Sequence, residues 1–200
     1  MRDPPTMNLA LDRRPLIVAL AGPNSAGKTT FYHAHLQPAG LRFVNADVLA
    51  QDLHVEPYAA ARVVDAVRHE LVKQRESFVF ETVFSDPSAR SSPSSRAWSK
   101  RATTRFCALS GLPGRRCANN ALRRGVSQGG HDVPTEKLVE RFPRILANLQ
   151  AIVSELPNVL VFDNNDLQMP YRLVAVFESG PLVKLQRPIP KWLIPLIPKS

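Results

Sequence analysis

The stretch that decides the fold is Ala19-Leu20-Ala21-Gly22-Pro23-Asn24-Ser25-Ala26-Gly27-Lys28-Thr29-Thr30. It fits the pattern G-x-x-x-x-G-K-[ST] at every position. It also follows an apolar, strand-like run (Leu16 to Leu20) and opens a helix-like one, the context that the pattern requires. Gly22 and Gly27 permit backbone dihedrals that a side chain would forbid, so main-chain N–H groups can turn inward on a phosphate with the positive end of a helix behind them. Asn24, Ser25 and Ala26 complete the loop and Thr30 follows it. Lys28 brings a mobile cation to the β- and γ-phosphates, and Thr29 offers a hydroxyl to Mg²⁺. Taken alone, the loop predicts a bound nucleoside triphosphate.

Working outward, the chain length of 200 residues and 44% hydrophobic content suit one domain with a sizeable core. No run approaches the length of a membrane span, and Met1-Arg2-Asp3-Pro4-Pro5 lacks the apolar core of a signal peptide, so a soluble, cytoplasmic protein is expected. Cys107 and Cys117 have no His or Cys partner at metal-ligand spacing, which argues against a zinc site or a disulfide framework.

Residues 1–14 are polar and proline-bearing, and read as a flexible segment. The domain is expected over 15–185. Leu16 to Leu20 is a continuous apolar strand of the kind buried on both faces of a parallel sheet. A first helix runs from Lys28 to about Leu36, stopped by Pro38 and Gly40. Leu41 to Asp47 reads as a second strand with Asn45 and Asp47 at its carboxyl end, where open parallel sheets bind ligands. A helix then starts near Pro57 and carries Val63, Val67 and Leu71 at four-residue spacing to about Lys73. Ser77 to Phe84 is a third strand, apolar except for Glu81 and Thr82. Farther on, Leu138 to Leu156 mark an amphipathic helix bent or restarted at Pro143, and Val159 to Asp163 a buried strand. Leu173–Phe177 and Leu182–Leu185 suggest a terminal hairpin, and residues 186–200 a proline-rich tail without regular structure. Strands alternating with helices give an α/β class: a three-layer α/β/α fold with a mainly parallel sheet.

One segment breaks this texture. Between Asp86 and Asp132 there is no acidic residue, while nine Lys and Arg residues supply the whole net charge of +9. Residues 87–102 hold six serines and two prolines and no amphipathic period, and only Phe106 to Leu109 suggest a weak fourth strand. Three readings of 87–127 compete: a basic lid for substrate phosphates, a disordered insertion, or a stretch translated out of frame between compensating indels. The third is favoured, because loss of all acids and all periodicity ends abruptly at Gln128. The charge also raises nucleic acid as a partner. With only Trp98 and Phe106 interleaved, the block offers no stacking platform, so nucleic acid is disfavoured.

Asp47 and Glu81 stand at the carboxyl ends of predicted strands, hence beside Lys28 if the sheet is parallel. An acid there can hold Mg²⁺ or take a proton from an attacking hydroxyl. With these residues in view, the runs GPNSAGKTT, FVNAD, SFVFETVFS, GGHDVP with RFPR, and VFDNN resemble, in order and spacing, the zeta toxin-like family of phosphate-loop kinases over roughly residues 15–185. The resemblance implies an adenylate-kinase-like fold and transfer of a phosphoryl group from ATP, with Mg²⁺, to a hydroxyl of a small-molecule acceptor such as a nucleotide sugar. It also raises a cognate antitoxin as partner, and no membrane.

Carried over onto these residues, the resemblance implies Asp47 as general base and metal residue, Lys28 and Thr29 as nucleotide and magnesium residues, and Glu81 with Thr82 as the acceptor-side motif. Arg124 and Arg141 would be the arginines that flank GGHDVP and close over the phosphates, with Arg123 able to exchange roles with Arg124. A planar guanidinium meets two phosphate oxygens at once, which suits the charge that phosphoryl transfer spreads over the equatorial oxygens. His131 reads as a turn residue rather than a catalyst. Two readings remain: an ATP-dependent kinase, or a module without transferase activity, either a decayed ATP-binding one or a basic nucleic-acid-associated ATPase.

Overall fold

In the computed structural model, strand β1 (Leu16–Ala21) has all six residues buried. Its alternation sends Leu16, Val18 and Leu20 to one side of the sheet, with Phe31, Leu36 and Phe162. Ile17, Ala19 and Ala21 go to the other side, with Phe78, Phe80, Leu149 and Val153. A strand with water on neither face has to lie in the middle of a sheet covered on both sides. The structure describes residues 14–22, 26–54, 56–82, 103–110, 135–166 and 168–198.

The neighbours of β1 are β3 (Phe78–Thr82) and β4 (Thr103–Ser110), both parallel to it. Outside β3 lies the short β2 (Arg42–Phe43), and outside β4 lies β5 (Asn158–Asp163), again parallel. The hairpin β6 (Arg172–Glu178) and β7 (Leu182–Leu185) continues the same sheet in antiparallel sense. The seven-stranded order is β2-β3-β1-β4-β5-β6-β7. This is the mainly parallel α/β sheet expected from the sequence.

The acid-free block contributes a full strand here. β4 pairs Thr103–Ala108 with Leu16–Ala21 and Phe106–Ser110 with Val159–Asp163, and so begins three residues earlier than its apolar stretch suggests. Two flanking strands offer backbone partners on both edges, and β-branched threonines suit a pleated surface. Residues 83–102 and 111–134 lie outside the described residues.

Helix α1 (Lys28–Phe31) continues as a π-helical turn, Tyr32–Leu36, and a 3₁₀ turn, Gln37–Ala39, that ends at Gly40 with φ of 72°. Pro38 cannot extend a helix, and Gly40 takes the left-handed conformation that closes one at little cost. A helix that the sequence did not reveal, α2 (Ala46–Leu53), follows β2. It moves Asp47 from the expected strand end into a first helical turn.

Helix α3 (Pro57–Lys73) has its expected bounds but turns a different face inward. Ala60, Val64 and Val72 are buried, whereas Val63 and Val67 are 49% and 42% exposed. The inward face includes Arg68, whose guanidinium lies 4.7 Å from the centre of the Phe80 ring and donates to the Val44 carbonyl at 3.1 Å. A count of apolar residues assigns an arginine to water, and here its flat group is buried against a ring. Burial lowers its pKa to about 10, partly offset by Asp65.

Helix α4 (Thr135–Glu155) runs through Pro143 as one helix and buries Leu149 and Val153 beneath the sheet. The tail is a second departure from expectation. Lys191–Leu196 forms a 3₁₀ segment whose Trp192, Leu193 and Leu196 enter the same core cluster as Leu149 and Val153. Fully burying an apolar side chain of this size contributes about 1.5–3 kcal/mol, enough to hold a proline-rich segment in place. Among the described residues no helix is long and apolar enough to cross a membrane.

Candidate active site

Parallel strands bring their carboxyl ends to one edge, and in this sheet that edge gathers Gly22 after β1, Glu81 and Thr82 at the end of β3, and Asp163 at the end of β5. The register sets Glu81 beside Leu20 and Thr82 beside Ala21, next to the start of the loop. Residues far apart in sequence thus meet because β1 sits between β3 and β4.

Lys28, the first residue of α1, is only 7% exposed, and its Nζ donates to the Gly22 carbonyl across the loop at 3.2 Å. A buried ammonium is costly unless it is hydrogen-bonded, so this contact keeps the charge at the loop mouth. Next to it, the Thr29 hydroxyl donates to Glu81 Oε1 at 2.8 Å. These hydroxyl and carboxylate oxygens are hard donors of the kind Mg²⁺ takes. No group of three or more His, Cys, Asp or Glu that could hold a metal occurs among the described residues. A hydroxyl and a single carboxylate fit a Mg²⁺ whose other ligands would come from phosphate or water.

Gly27 has φ of 84°, and a Cβ placed on it would lie 2.7 Å from the Tyr171 hydroxyl and 2.9 Å from Asn164 Nδ2. Both crowding groups come from the connection between β5 and β6. Asn164 Nδ2 donates to the Ala26 carbonyl at 3.1 Å, and the Tyr171 hydroxyl donates to the Gly27 carbonyl at 3.1 Å. Burial raises the Tyr171 pKa, partly offset by hydrogen bonds from Thr30 and Asn164. Asp163, 8% exposed, accepts from Asn165 Nδ2 at 2.7 Å and pairs with Arg172 at 3.5 Å.

The residues singled out from the sequence are distributed as follows. Gly22, Ala26, Gly27, Lys28, Thr29, Thr30, Glu81 and Thr82 lie at this edge, with Glu81 bonded to Thr29. Asp47 is the second residue of α2, one position after the Val44–Asn45–Ala46 run that Arg68 anchors through the Val44 carbonyl. Arg141 is in α4. Asn24, Ser25, Arg123, Arg124, His131 and the rest of GGHDVP lie outside the described residues.

Arg68, Asn164 and Tyr171 carry geometry that sequence reading missed. VFDNN flagged Asn164 only as part of a motif, and a tyrosine eight residues past Asp163 has no spacing signal at all.

No protein-family model matches the sequence, and no curated protein matches it. Solved structures do match in fold. A crystal structure of AvrRxo1-ORF1:AvrRxo1-ORF2 with sulfate ions aligns with a TM-score of 0.62 at 19% identity, covering 88% of this chain and 62% of that one. The same pair with ATP aligns at 0.61 and 17% identity, covering 90% and 64%. A structure from the PezAT chromosomal toxin–antitoxin system of Streptococcus pneumoniae aligns at 0.61 and 11% identity, covering 82% and 72%. A putative kinase from Chloroflexus aurantiacus aligns at 0.52 and 17% identity, covering 78% and 91%. The chain spans under two thirds of the AvrRxo1-ORF1:AvrRxo1-ORF2 chains it matches. At these identities the likeness is one of fold.

Proposed function

We propose that this protein is an ATP-dependent phosphotransferase of the zeta toxin-like type, moving the γ-phosphoryl group to a hydroxyl of a small-molecule acceptor. The observation that carries the reading is the pairing of a buried Lys28 at the loop mouth with the Thr29–Glu81 contact, all at the carboxyl edge of a parallel sheet. The ATP complex of a structural neighbour supports ATP as donor.

Bound ATP with Mg²⁺ supplies the phosphoryl group and offsets its charge. Lys28 draws the β- and γ-phosphate oxygens toward the loop, while Thr29 and Glu81 offer oxygens to the metal. Asp47 takes the proton of the acceptor hydroxyl, with Glu81 and Thr82 on the acceptor side. Arg124 and Arg141 stabilise the negative charge that spreads over the transferring group. The toxin–antitoxin system to which one structural neighbour belongs supports a protein antitoxin as partner.

The test is ADP release from the purified chain with a panel of nucleotide sugars, nucleosides and antibiotics. Acceptor-dependent release that disappears in both Lys28→Ala and Asp47→Asn supports the reading. ATP binding with no turnover on any acceptor turns the protein into a nucleotide-binding module. Undiminished turnover in Asp47→Asn removes Asp47 as base.

A further inference from the structure

We propose that Asn164 and Tyr171 are positioning residues that aim the phosphate-binding loop from behind, an inference that rests on the reading above that the loop binds ATP. Both lie in the connection that follows β5, and neither belongs to the loop. Together they grip its two consecutive carbonyls, Asn164 Nδ2 at Ala26 and the Tyr171 hydroxyl at Gly27, each at 3.1 Å. They also hold each other, since the Tyr171 N–H donates to Asn164 Oδ1 at 3.3 Å.

The consequence follows from peptide planarity. In a trans peptide the C=O and the next N–H point in opposite directions. Holding the Ala26 carbonyl toward Asn164 therefore turns the Gly27 N–H away from it, and the Gly27 carbonyl, which accepts from the Phe31 N–H at 2.8 Å in the first helical turn, is held a second time by Tyr171, which adds to the fixing of the Lys28 N–H. Those are the amides of the loop, and fixing them before a phosphate arrives removes an ordering cost from binding.

Three further observations separate this from ordinary packing. The space behind Gly27 is closed to a Cβ by the two polar atoms themselves. Tyr171 adopts φ of 56°, a left-handed conformation uncommon for a side-chain-bearing residue, and its N–H is directed at Asn164. Its ring is held independently, edge-on to Phe31 at 5.3 Å and to His35 at 5.8 Å. Removing the hydroxyl alone therefore leaves the packing in place.

The experiment compares the full chain with Tyr171→Phe and Asn164→Asp, the second keeping Oδ1 but placing an acceptor against the Ala26 carbonyl. Amide hydrogen exchange over residues 22–31 is measured without nucleotide, Kd for ATP with Mg²⁺ by calorimetry, and KM and kcat wherever an acceptor gives turnover. Loss of one such bond corresponds to about fivefold in an equilibrium. Loop exchange is expected to quicken and ATP Kd and KM to rise by about that factor in each variant, with acceptor KM unchanged and exchange in β1 and β5 unaltered. Loop exchange and ATP Kd within twofold of the native chain in both variants overturn the proposal, as does acceleration spread equally over β1 and β5. If the native chain binds no ATP, the proposed function falls, and exchange at the loop then decides the brace by itself.

Discussion

Replacing Gly27 by alanine puts the geometry behind the loop to a quantitative test. Two costs combine. A side chain at φ of 84° is strained by about 1–2 kcal/mol. The new Cβ would also lie 2.7 Å from the Tyr171 hydroxyl and 2.9 Å from Asn164 Nδ2, so both groups have to retreat from carbonyls they now hold. Each neutral hydrogen bond lost costs about 0.5–1.5 kcal/mol. The sum centres on about 3.5 kcal/mol, which for a chain of this size lowers Tm by about 7–14 °C. Gly40 is an internal control, with φ of 72° but no atom of the described residues within 4 Å of its would-be Cβ. Gly40→Ala is therefore expected to cost the strain alone, about 1–2 kcal/mol. Urea denaturation of both variants and the native chain gives the difference directly. Equal destabilisation in the two, within about 0.5 kcal/mol, would refute the claim that Asn164 and Tyr171 close the space behind Gly27.

Three other expectations follow from the structure. Glu81→Gln keeps the shape but removes the charge beside the Thr29 hydroxyl, so the Mg²⁺ concentration that half-saturates ATP binding should rise about tenfold, a charged hydrogen bond being worth about 1.5–3 kcal/mol. An unchanged Mg²⁺ requirement counts against a metal role for this pair. Trp192→Ala should cost about 3–5 kcal/mol, seen as a lower urea midpoint, because Trp192 is 8% exposed within the core cluster. Among the described residues its Nε1 has no hydrogen-bond partner, so the loss is one of packing and Trp192→Phe should recover most of it. Burial lowers the pKa of His35. The unfolded chain then takes up a proton that the folded chain refuses as pH falls below about 6.5, so stability should decline from there toward the folded pKa. His35→Gln should flatten that limb in Tm measured against pH, and an identical slope would show that His35 does not contribute to it.

Much of the site was legible because its chemistry is local. Gly22, Gly27, Lys28 and Thr29 occupy fixed offsets in one loop, and the apolar runs on either side announce a strand and a helix. Glu81 stood out as an acid inside an apolar run. Less legible was whatever depends on a partner distant in the chain. The inward face of α3 was misread because Arg68 counts as polar until Phe80 lies beneath it. The helix α2 went unseen because its first two residues, Ala46 and Asp47, close the run read as a strand, and the tail looked structureless until Trp192 and Leu193 met the sheet.

By itself the sequence determined the class of fold, the position of the loop and the identity of the groups that would meet a phosphate, because glycine, lysine and hydroxyl chemistry act over a few residues and apolar periodicity over one element. Only the tertiary structure decided that β1 lies between β3 and β4, and that the acid-free block yields a strand with partners on both edges. It likewise decided that Glu81 bonds Thr29 and that Asn164 and Tyr171 hold the loop from behind. Those outcomes depend on which strands pair, and pairing is set by burial of whole faces that no single segment encodes.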